Sequence, residues 1–150
     1  MRKLLPVAIA FAAALSAAQP AGQARPTPRA GNYLYRVSLV QAAPGKLTEL
    51  IELYKSKFAA SASVGDPAPL WVRHSQGDRW DLMILQPMGS YAEFYAPDRT
   101  TRRMRTEQAL AGKIRDDITW HEDLYCTGPA IADLRNAFAG GFFHVEMFIA

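Results

Sequence analysis

Hydrophobic residues alternate with other residues along four stretches of the chain, and this period of two predicts β-strands. The predicted strands are residues 33–41, 70–75, 80–86 and 118–126. The two middle strands are separated by Gln76, Gly77 and Asp78, which predict a tight hairpin turn because glycine readily adopts a positive φ. Neither face of this hairpin is plainly polar, so we expect other parts of the molecule to pack on both sides of the sheet.

Between the strands, hydrophobic residues recur at helical spacing. The first predicted helix follows Pro44 and Gly45, and its apolar stripe is Leu47, Leu50, Ile51, Tyr54 and Phe58. A second helical region begins with the capping-box pair Ser90 and Glu93, is interrupted by Pro97 and continues over residues 99–115. The order strand, helix, strand, strand, helix, strand predicts an α+β fold. We expect a ferredoxin-like βαββαβ sandwich with an antiparallel sheet and its helices on one face.

The N-terminal segment is typical of a secretory signal peptide. Arg2 and Lys3 precede an apolar run over residues 4–18, and small residues offer cleavage after Ala18 or Ala24. The predicted organisation is a signal peptide over 1–24, a linker over 25–31 and a domain over 32–128. We therefore expect an exported protein, periplasmic or secreted, without membrane association after cleavage. An uncleaved N-terminal anchor is the alternative.

Residues 129–150 predict a short helix followed by an extra strand over residues 142–149. The apolar positions of this strand, Phe143, Val145 and Met147, repeat the pattern of Tyr35, Val37 and Leu39 in the first strand. The segment is therefore either a C-terminal fifth strand or the start of a second repeat. In both cases we expect it to pair with a sheet edge.

The charge balance gives no support for a nucleic-acid partner. The chain has 17 Lys and Arg against 14 Asp and Glu, and removal of Arg2 and Lys3 leaves 15 against 14. One basic cluster is present, and it predicts either a solvated helix face or a site for a phosphate or carboxylate: Arg99, Arg102, Arg103 and Arg105. Cys126 is the only cysteine, which excludes an intramolecular disulfide.

The first strand followed by Pro44, Gly45 and a Leu-rich helix resembles the dimeric α/β-barrel superfamily. The Trp-containing hairpin and the segment 90–94 (SYAEF) resemble it too. This superfamily includes antibiotic-biosynthesis-monooxygenase-like and NIPSNAP-like proteins, and the resemblance covers residues 33–126. It implies two sheets placed face to face, from two chains or two repeats, with small and mostly apolar molecules bound between them. Some members are cofactor-free oxygenases and others bind haem.

Strand parity predicts a candidate site on the sheet face away from the helices. The candidate ligand-binding residues there are Arg36, Ser38, Trp71, Arg73, Asp81, Met83 and Asp123. The fourth strand contributes either His121, Asp123 and Tyr125 or Trp120, Glu122 and Leu124. Apolar surface with a few polar groups is typical of a small-molecule pocket, but also of a dimer interface. The candidate catalytic residues are His121 and His74, as proton acceptors.

Two function classes remain open at this point. The first is a cofactor-free, oxygenase-like enzyme acting on a small apolar molecule. The second is a non-catalytic binding or assembly protein whose sheet face forms a homodimer. His121 and Asp123 form a two-residue metal-binding candidate, but no HxxxH, HExxH or paired-Cys spacing accompanies them, so we predict neither a metal nor a cofactor. Hydrolase and nucleotide-binding fingerprints are also absent from the sequence.

Overall fold

The computed structural model describes residues 33–139, and its elements follow the predicted order. They are β1 (Tyr33–Ala42), α1 (Leu47–Ser63), β2 (Leu70–Arg73), β3 (Leu82–Gly89), α2 (Tyr91–Phe94), α3 (Pro97–Asp116), β4 (Ile118–Gly128) and α4 (Ile131–Ala137). The predicted signal peptide, linker and C-terminal strand lie outside these described residues. Within 33–139, no helix is long and apolar enough to cross a membrane.

The four strands form one antiparallel sheet in the order β2-β3-β1-β4. With α1 after the first strand and α3 before the last, this is the predicted α+β, ferredoxin-like arrangement. We call the side of the sheet that contacts α1 and α3 the helix face, and the opposite side the far face.

The main core lies between the helix face and the two long helices. Val40, Leu82 and Ile84 from the sheet pack against Leu50, Tyr54 and Ile114, and all six are buried. Leu50 and Tyr54 belong to the apolar stripe predicted for α1, so the helical spacing identified the packed side of that helix correctly. Burying an aliphatic side chain of this size contributes roughly 1.5–3 kcal/mol, so this cluster is a main source of stability.

The far face has its own apolar cluster. Val37, Leu39 and Met83 are buried there together with Trp80, which lies in the connection between β2 and β3. At the opposite end of the sheet, the Tyr35 hydroxyl donates a hydrogen bond of 2.5 Å to the carbonyl oxygen of Pro129. Both faces of the central strands β1 and β3 thus carry buried apolar side chains.

The connection between β2 and β3 is longer than the predicted tight turn. It spans residues 74–81, and the amide of His74 closes it by donating a 2.7 Å hydrogen bond to the carbonyl of Asp81. Gly77 has φ 113°, as a turn glycine allows. The longer loop places Trp80 on the far face, where it is buried.

Strand β3 also continues beyond the predicted stop at Pro87. Proline lacks a backbone N–H and is normally excluded from central strands. Here β2 pairs only with residues 82–85 of β3, and the pairing of β1 with β3 is irregular between Leu34 and Tyr35. Pro87 therefore lies in the part of β3 that has no β2 partner.

The register corrects five of the predicted face assignments. Ser38 lies opposite Ile84, and Trp71 lies opposite the same residue on the other side of β3. Ile84 is part of the core under the helices, and Asp123 lies opposite Ser38 on β4. These positions and their same-face neighbours therefore belong to the helix face: Arg36, Ser38, Trp71, Arg73 and Asp123. Met83 lies on the far face as predicted. The assignment of the faces is wrong because both faces of β1 are apolar enough to pack, and alternation along a strand does not show which face lies under the helices.

Candidate functional site

A cavity of about 430 Å³ lies between the helix face and the two long helices. Its floor is formed by β1 and β4, and its walls are formed by α1 and α3. The lining residues are Arg36, Ser38, Val40, Tyr54, Lys57, Glu107, Ala111, Ile114, Arg115, Ile118, Thr119, Trp120, His121 and Asp123. The cavity exists because only the start of β4, at Ile118, joins the main core.

Strand pairing places the polar residues of the floor side by side. Val40 lies opposite His121, Ser38 lies opposite Asp123, and Arg36 lies opposite Tyr125. Alternate residues of a strand point to the same face, so these pairs form one row under the helices. His121, Asp123 and Tyr125 are exposed, because β4 is an edge strand that the helices cover only at its start.

Several of the charged groups in the cavity are held by specific contacts. The Ser38 hydroxyl donates a short hydrogen bond to Oδ1 of Asp123. On the helix side, Glu107 accepts a 2.7 Å hydrogen bond from the Ser61 hydroxyl and forms an ion pair with Lys57 at 3.3 Å. These contacts fix one carboxylate on the floor of the cavity, at Asp123, and one on its wall, at Glu107.

The buried phenol of Tyr54 lies between these groups. Burial raises its pKa to about 12, and the negative charge of Asp123 acts in the same direction while Arg36 opposes it. Desolvation disfavours the phenolate, so Tyr54 is a neutral hydrogen-bonding group at physiological pH.

A smaller cavity of about 50 Å³ adjoins the first one and shares five of its lining residues, among them Arg36 and Tyr54. It reaches Asp66 and the ring of Phe94. Three guanidinium groups surround this ring: Arg103 at 3.9 Å from its centroid, Arg99 at 5.3 Å and Arg36 at 5.8 Å. Cations over an aromatic face are attracted by its quadrupole.

Asp66 neutralises part of this arginine cluster. Its carboxylate accepts hydrogen bonds from Nε of Arg99 at 2.7 Å and from Nε of Arg103 at 2.6 Å. Burial by itself would raise the pKa of Asp66, but the hydrogen bonds from Arg103 and Arg99 outweigh it and hold the pKa below its ordinary value. Two arginines of the predicted basic cluster therefore point inward, whereas Arg102 and Arg105 are exposed.

Four of the nine predicted site residues meet in the large cavity: Arg36, Ser38, His121 and Asp123. The sequence placed Arg36 and Ser38 together and offered His121 and Asp123 as one of two sets on β4, but on the other side of the sheet. The other five lie elsewhere. Trp71 packs in the main core with its ring 5.6 Å from Phe58, Met83 is buried on the far face, and Arg73 is exposed at the end of β2.

His74 and Asp81 have contacts that stabilise the β2–β3 connection. Nδ1 of His74 is hydrogen-bonded to the carbonyl oxygen of Trp80 at 2.9 Å, and the two rings are 4.1 Å apart. Oδ2 of Asp81 accepts a 2.8 Å hydrogen bond from the amide of Ala42. Both residues are outside the lining of the large cavity, so His121 is the candidate proton acceptor that the geometry retains.

Sequence reasoning missed the residues that the helices contribute. Tyr54 was predicted as a core residue, and Lys57, Glu107 and Arg115 occupy polar helix positions that carried no separate signal. A weak signal existed for the inner arginines: Arg99 and Arg103 are four residues apart, and so share one side of α3. Their partner Asp66 lies in the connection after α1, a pairing that only the tertiary structure reveals.

The cavity suits a small organic molecule. It combines apolar walls, from Val40, Ile114 and Ile118, with a few hydrogen-bonding groups of both charges. In the part of the chain that the structure describes, no group of three or more His, Cys, Asp or Glu side chains is placed to hold a metal ion. The chemistry available from these side chains is proton transfer at His121, hydrogen bonding from Tyr54 and Ser38, and charge recognition by Arg36.

No protein-family model matches the chain, and no curated protein matches it. Solved structures do. A NIPSNAP-family protein of unknown function from Agrobacterium tumefaciens is similar with a TM-score of 0.54 at 14% identity, over 66% of this chain and 90% of that one. A second NIPSNAP-family protein from the same organism has a TM-score of 0.56 at 14% identity, over 71% and 95%.

A putative antibiotic biosynthesis monooxygenase from Nitrosomonas europaea is also similar, with a TM-score of 0.50 at 9% identity, over 65% of this chain and 91% of that one. At such low identities the likeness shows the fold alone. It confirms the resemblance predicted from the sequence: this chain has the ferredoxin-like fold found in NIPSNAP and antibiotic-biosynthesis-monooxygenase-like proteins.

Proposed function

We propose that this protein binds a small organic molecule in the cavity between the helix face and helices α1 and α3. The observation that carries the proposal is the cavity itself. Its volume of about 430 Å³ falls in the range of ligand pockets, roughly 300–1,000 Å³, and four predicted site residues converge on it. The proposal moves the ligand from the space between two sheets to the space under the helices.

The far face supports this relocation. A ligand between two sheets would need an uncovered apolar surface there, but Val37, Leu39 and Met83 are already buried by groups of their own chain, including Trp80. The helix face over β4, in contrast, keeps its polar side chains accessible. A binding site requires open volume, and the helix face provides it.

A second candidate function is acid–base catalysis on the bound molecule without a cofactor. It is favoured by His121, which lines the cavity opposite Val40 and two residues from Asp123. Histidine is the residue that most often acts as a general base, and removing a proton from a carbon or oxygen acid is the first step that this cavity's own groups can perform. Asp123 is held by Ser38, so the imidazole of His121, once protonated, would lie near a fixed negative charge.

The binding proposal is tested by filling the cavity. Ala111 lines it from α3, and Ala109 is an exposed alanine on the same helix outside the lining. A fragment library is screened on the wild type by ligand-observed NMR, and each hit is then titrated against Ala111→Phe and Ala109→Phe. We expect hits to bind the wild type and Ala109→Phe equally and to lose at least about tenfold in affinity for Ala111→Phe, because the phenyl ring occupies the ligand's volume.

Two outcomes would contradict the proposal. Equal binding of all hits to Ala111→Phe would place the ligand elsewhere, and the absence of any hit would remove the evidence for a ligand pocket. Thermal unfolding of each variant checks that the phenyl ring has not disturbed the fold, since a bound ligand stabilises only a folded protein.

We also propose a homodimer through the far face, as the resemblance to dimeric α/β-barrel proteins implies. Leu124 supports it, because this leucine lies on the far face of β4 opposite Val37 and is 40% exposed. The exposed apolar area on this face is limited, since Val37, Leu39 and Met83 are buried within the chain. Export, predicted from residues 1–24, stays a prediction.

A further inference from the structure

The charges that line the two adjoining cavities do not balance. Four basic side chains, Arg36, Lys57, Arg103 and Arg115, face three acidic ones, Asp66, Glu107 and Asp123. Lys57 pairs with Glu107, and Arg103 pairs with Asp66. Arg115 is exposed on α3 and can be solvated by water. Among the lining residues that the structure describes, Arg36 and Asp123 remain without an ion-pair partner, and of the two only Asp123 is held by a side-chain hydrogen bond, from Ser38.

Arg36 is also the lining residue with an unmet hydrogen-bonding requirement. Its Nε is buried and has no hydrogen-bond partner. Its guanidinium lies 5.8 Å from the centroid of the Phe94 ring, a contact that offers no acceptor. Leaving a buried charged donor unsatisfied is costly, so an acceptor supplied from outside would be bound with a large net gain.

The position of Arg36 sets where such an acceptor lies. Arg36 lines both the large and the small cavity, so its guanidinium marks the place where the two meet. The guanidinium fork matches a carboxylate with two parallel hydrogen bonds, and neutral acceptors gain less from it. The phenol of Tyr54 lines both cavities as well and can donate a further hydrogen bond to the same acceptor.

The strand geometry sets the length of the ligand. His121 lies opposite Val40, four residues along β1 from Arg36, and strand residues rise about 3.3 Å each. The distance between the two positions along the strand is therefore roughly 13 Å. Apolar side chains, including Val40 and Ile118, line the cavity near His121.

We infer that the ligand of this cavity is an elongated monocarboxylic acid, whose carboxylate binds Arg36 and whose apolar body extends along β1 towards His121. This inference rests on the proposed binding function and adds the chemical class of the ligand. It also orients the ligand, since the end remote from the carboxylate is the part that reaches the candidate proton acceptor.

The test compares acids with uncharged analogues of the same shape. Decanoate and 4-phenylbutanoate are titrated beside their primary amides by isothermal calorimetry, on the wild type and on Arg36→Met. We expect the wild type to bind each acid at least about tenfold more tightly than its amide, because a charged bidentate hydrogen bond is lost in the amide. In Arg36→Met, the acid should bind with the same affinity as its amide, and the affinity for the amide should stay within about twofold of the wild-type value.

Two further variants keep the test decisive. Arg105→Met removes an exposed arginine from the same protein outside the cavity lining, and it should bind both compounds as the wild type does. Arg36→Lys retains the charge without the fork, and it should retain an intermediate preference for the acid even if Arg36→Met proves unstable.

The outcomes separate the two proposals. If acid and amide bind the wild type equally and Ala111→Phe blocks both, the carboxylate inference is wrong and the binding function stands. The role of Arg36 is also wrong if both Arg36→Met and Arg36→Lys prefer the acid over the amide as strongly as the wild type does. If neither acids, amides nor any library fragment depends on the cavity, the binding function itself is wrong.

Discussion

The two halves of the helix face differ in a way that explains where the candidate site lies. Over β3, the sheet residues Leu82 and Ile84 are buried under Leu50 and Ile114, and the contact is apolar throughout. Over β4, the sheet presents polar side chains, His121 among them, and the helices stand away from it. The same two helices thus close one half of the face and leave the other half open.

This difference follows from the shape of the fold. Two helices that pack against each other and against the central strands cannot also cover an edge strand completely, and β4 is eleven residues long. Polar groups on the uncovered half remain accessible to water, so they cost little in stability. Side chains over β4 can therefore be substituted, which changes the chemistry of the site, while the packing over β3 keeps the domain folded.

The largest effect that separates the two halves is expected from truncating a side chain in the packed half. Leu82 is 0% exposed, so Leu82→Ala should lower the free energy of unfolding by about 2–5 kcal/mol through lost burial and a residual cavity. His121→Ala, in the open half, should change it by less than about 0.5 kcal/mol, because the side chain is exposed. Urea unfolding of both variants measures the contrast. A loss of similar size in the two variants would show that the halves are equally packed.

An intermediate effect is expected at Tyr54, which contributes to both halves. Its pKa is raised to about 12 from the ordinary 10.0, so the folded protein holds the phenol proton more tightly than the unfolded chain. The corresponding stability is fully present below pH 10 and is lost as the pH rises towards 12. The wild type should therefore lose up to roughly 2.7 kcal/mol of its free energy of unfolding at alkaline pH through Tyr54, and Tyr54→Phe should not show this loss.

The measurement is urea unfolding at about pH 9 and about pH 11, with the difference compared between wild type and variant. Tyr35, whose pKa burial also raises to about 12, titrates in the same window and leaves a residual loss in Tyr54→Phe. An alkaline loss in the variant as large as that of the wild type would mean that Tyr54 is not held in the neutral form by the fold.

The smallest effect on stability, and a distinct effect on assembly, is expected on the far face. Leu124→Lys adds a charge at an exposed position, so it should change the free energy of unfolding by less than about 0.5 kcal/mol. It should nevertheless convert the proposed dimer to monomers in sedimentation velocity, because an unpaired charge would be buried at the interface. Thr127→Lys, an exposed position on the other face of the same strand, is the matched control and should leave the dimer intact.

Leu124 is a better probe of the far face than Met83. Met83 is only 6% exposed within its own chain, so a lysine there would destabilise the fold itself. A wild-type protein that sediments as a monomer at every accessible concentration would contradict the dimer.

The elements of this fold could be predicted because they depend on short-range patterns. The helical spacing of Leu50 and Tyr54 identified the packed side of α1, and the Ser90 hydroxyl accepts a 3.3 Å hydrogen bond from the amide of Glu93, as the capping box predicts. Met104 of α3 is 68% exposed and takes no part in the core. α3 packs through Leu110 and Ile114, nearer its C-terminal end.

The sequence by itself determined which residues share a face, because alternation along a strand is a property of the backbone. It therefore brought Arg36 and Ser38 together, and offered His121 and Asp123 as their neighbours on β4. Only the tertiary structure decided which face receives the helices. Both faces of β1 are apolar enough to be buried, so the choice depends on the packing of Trp80 on one side and of Leu50 and Tyr54 on the other. The pairing of Asp66 with Arg99 and Arg103, and the open volume beside β4, arise from the same long-range packing, which no local pattern encodes.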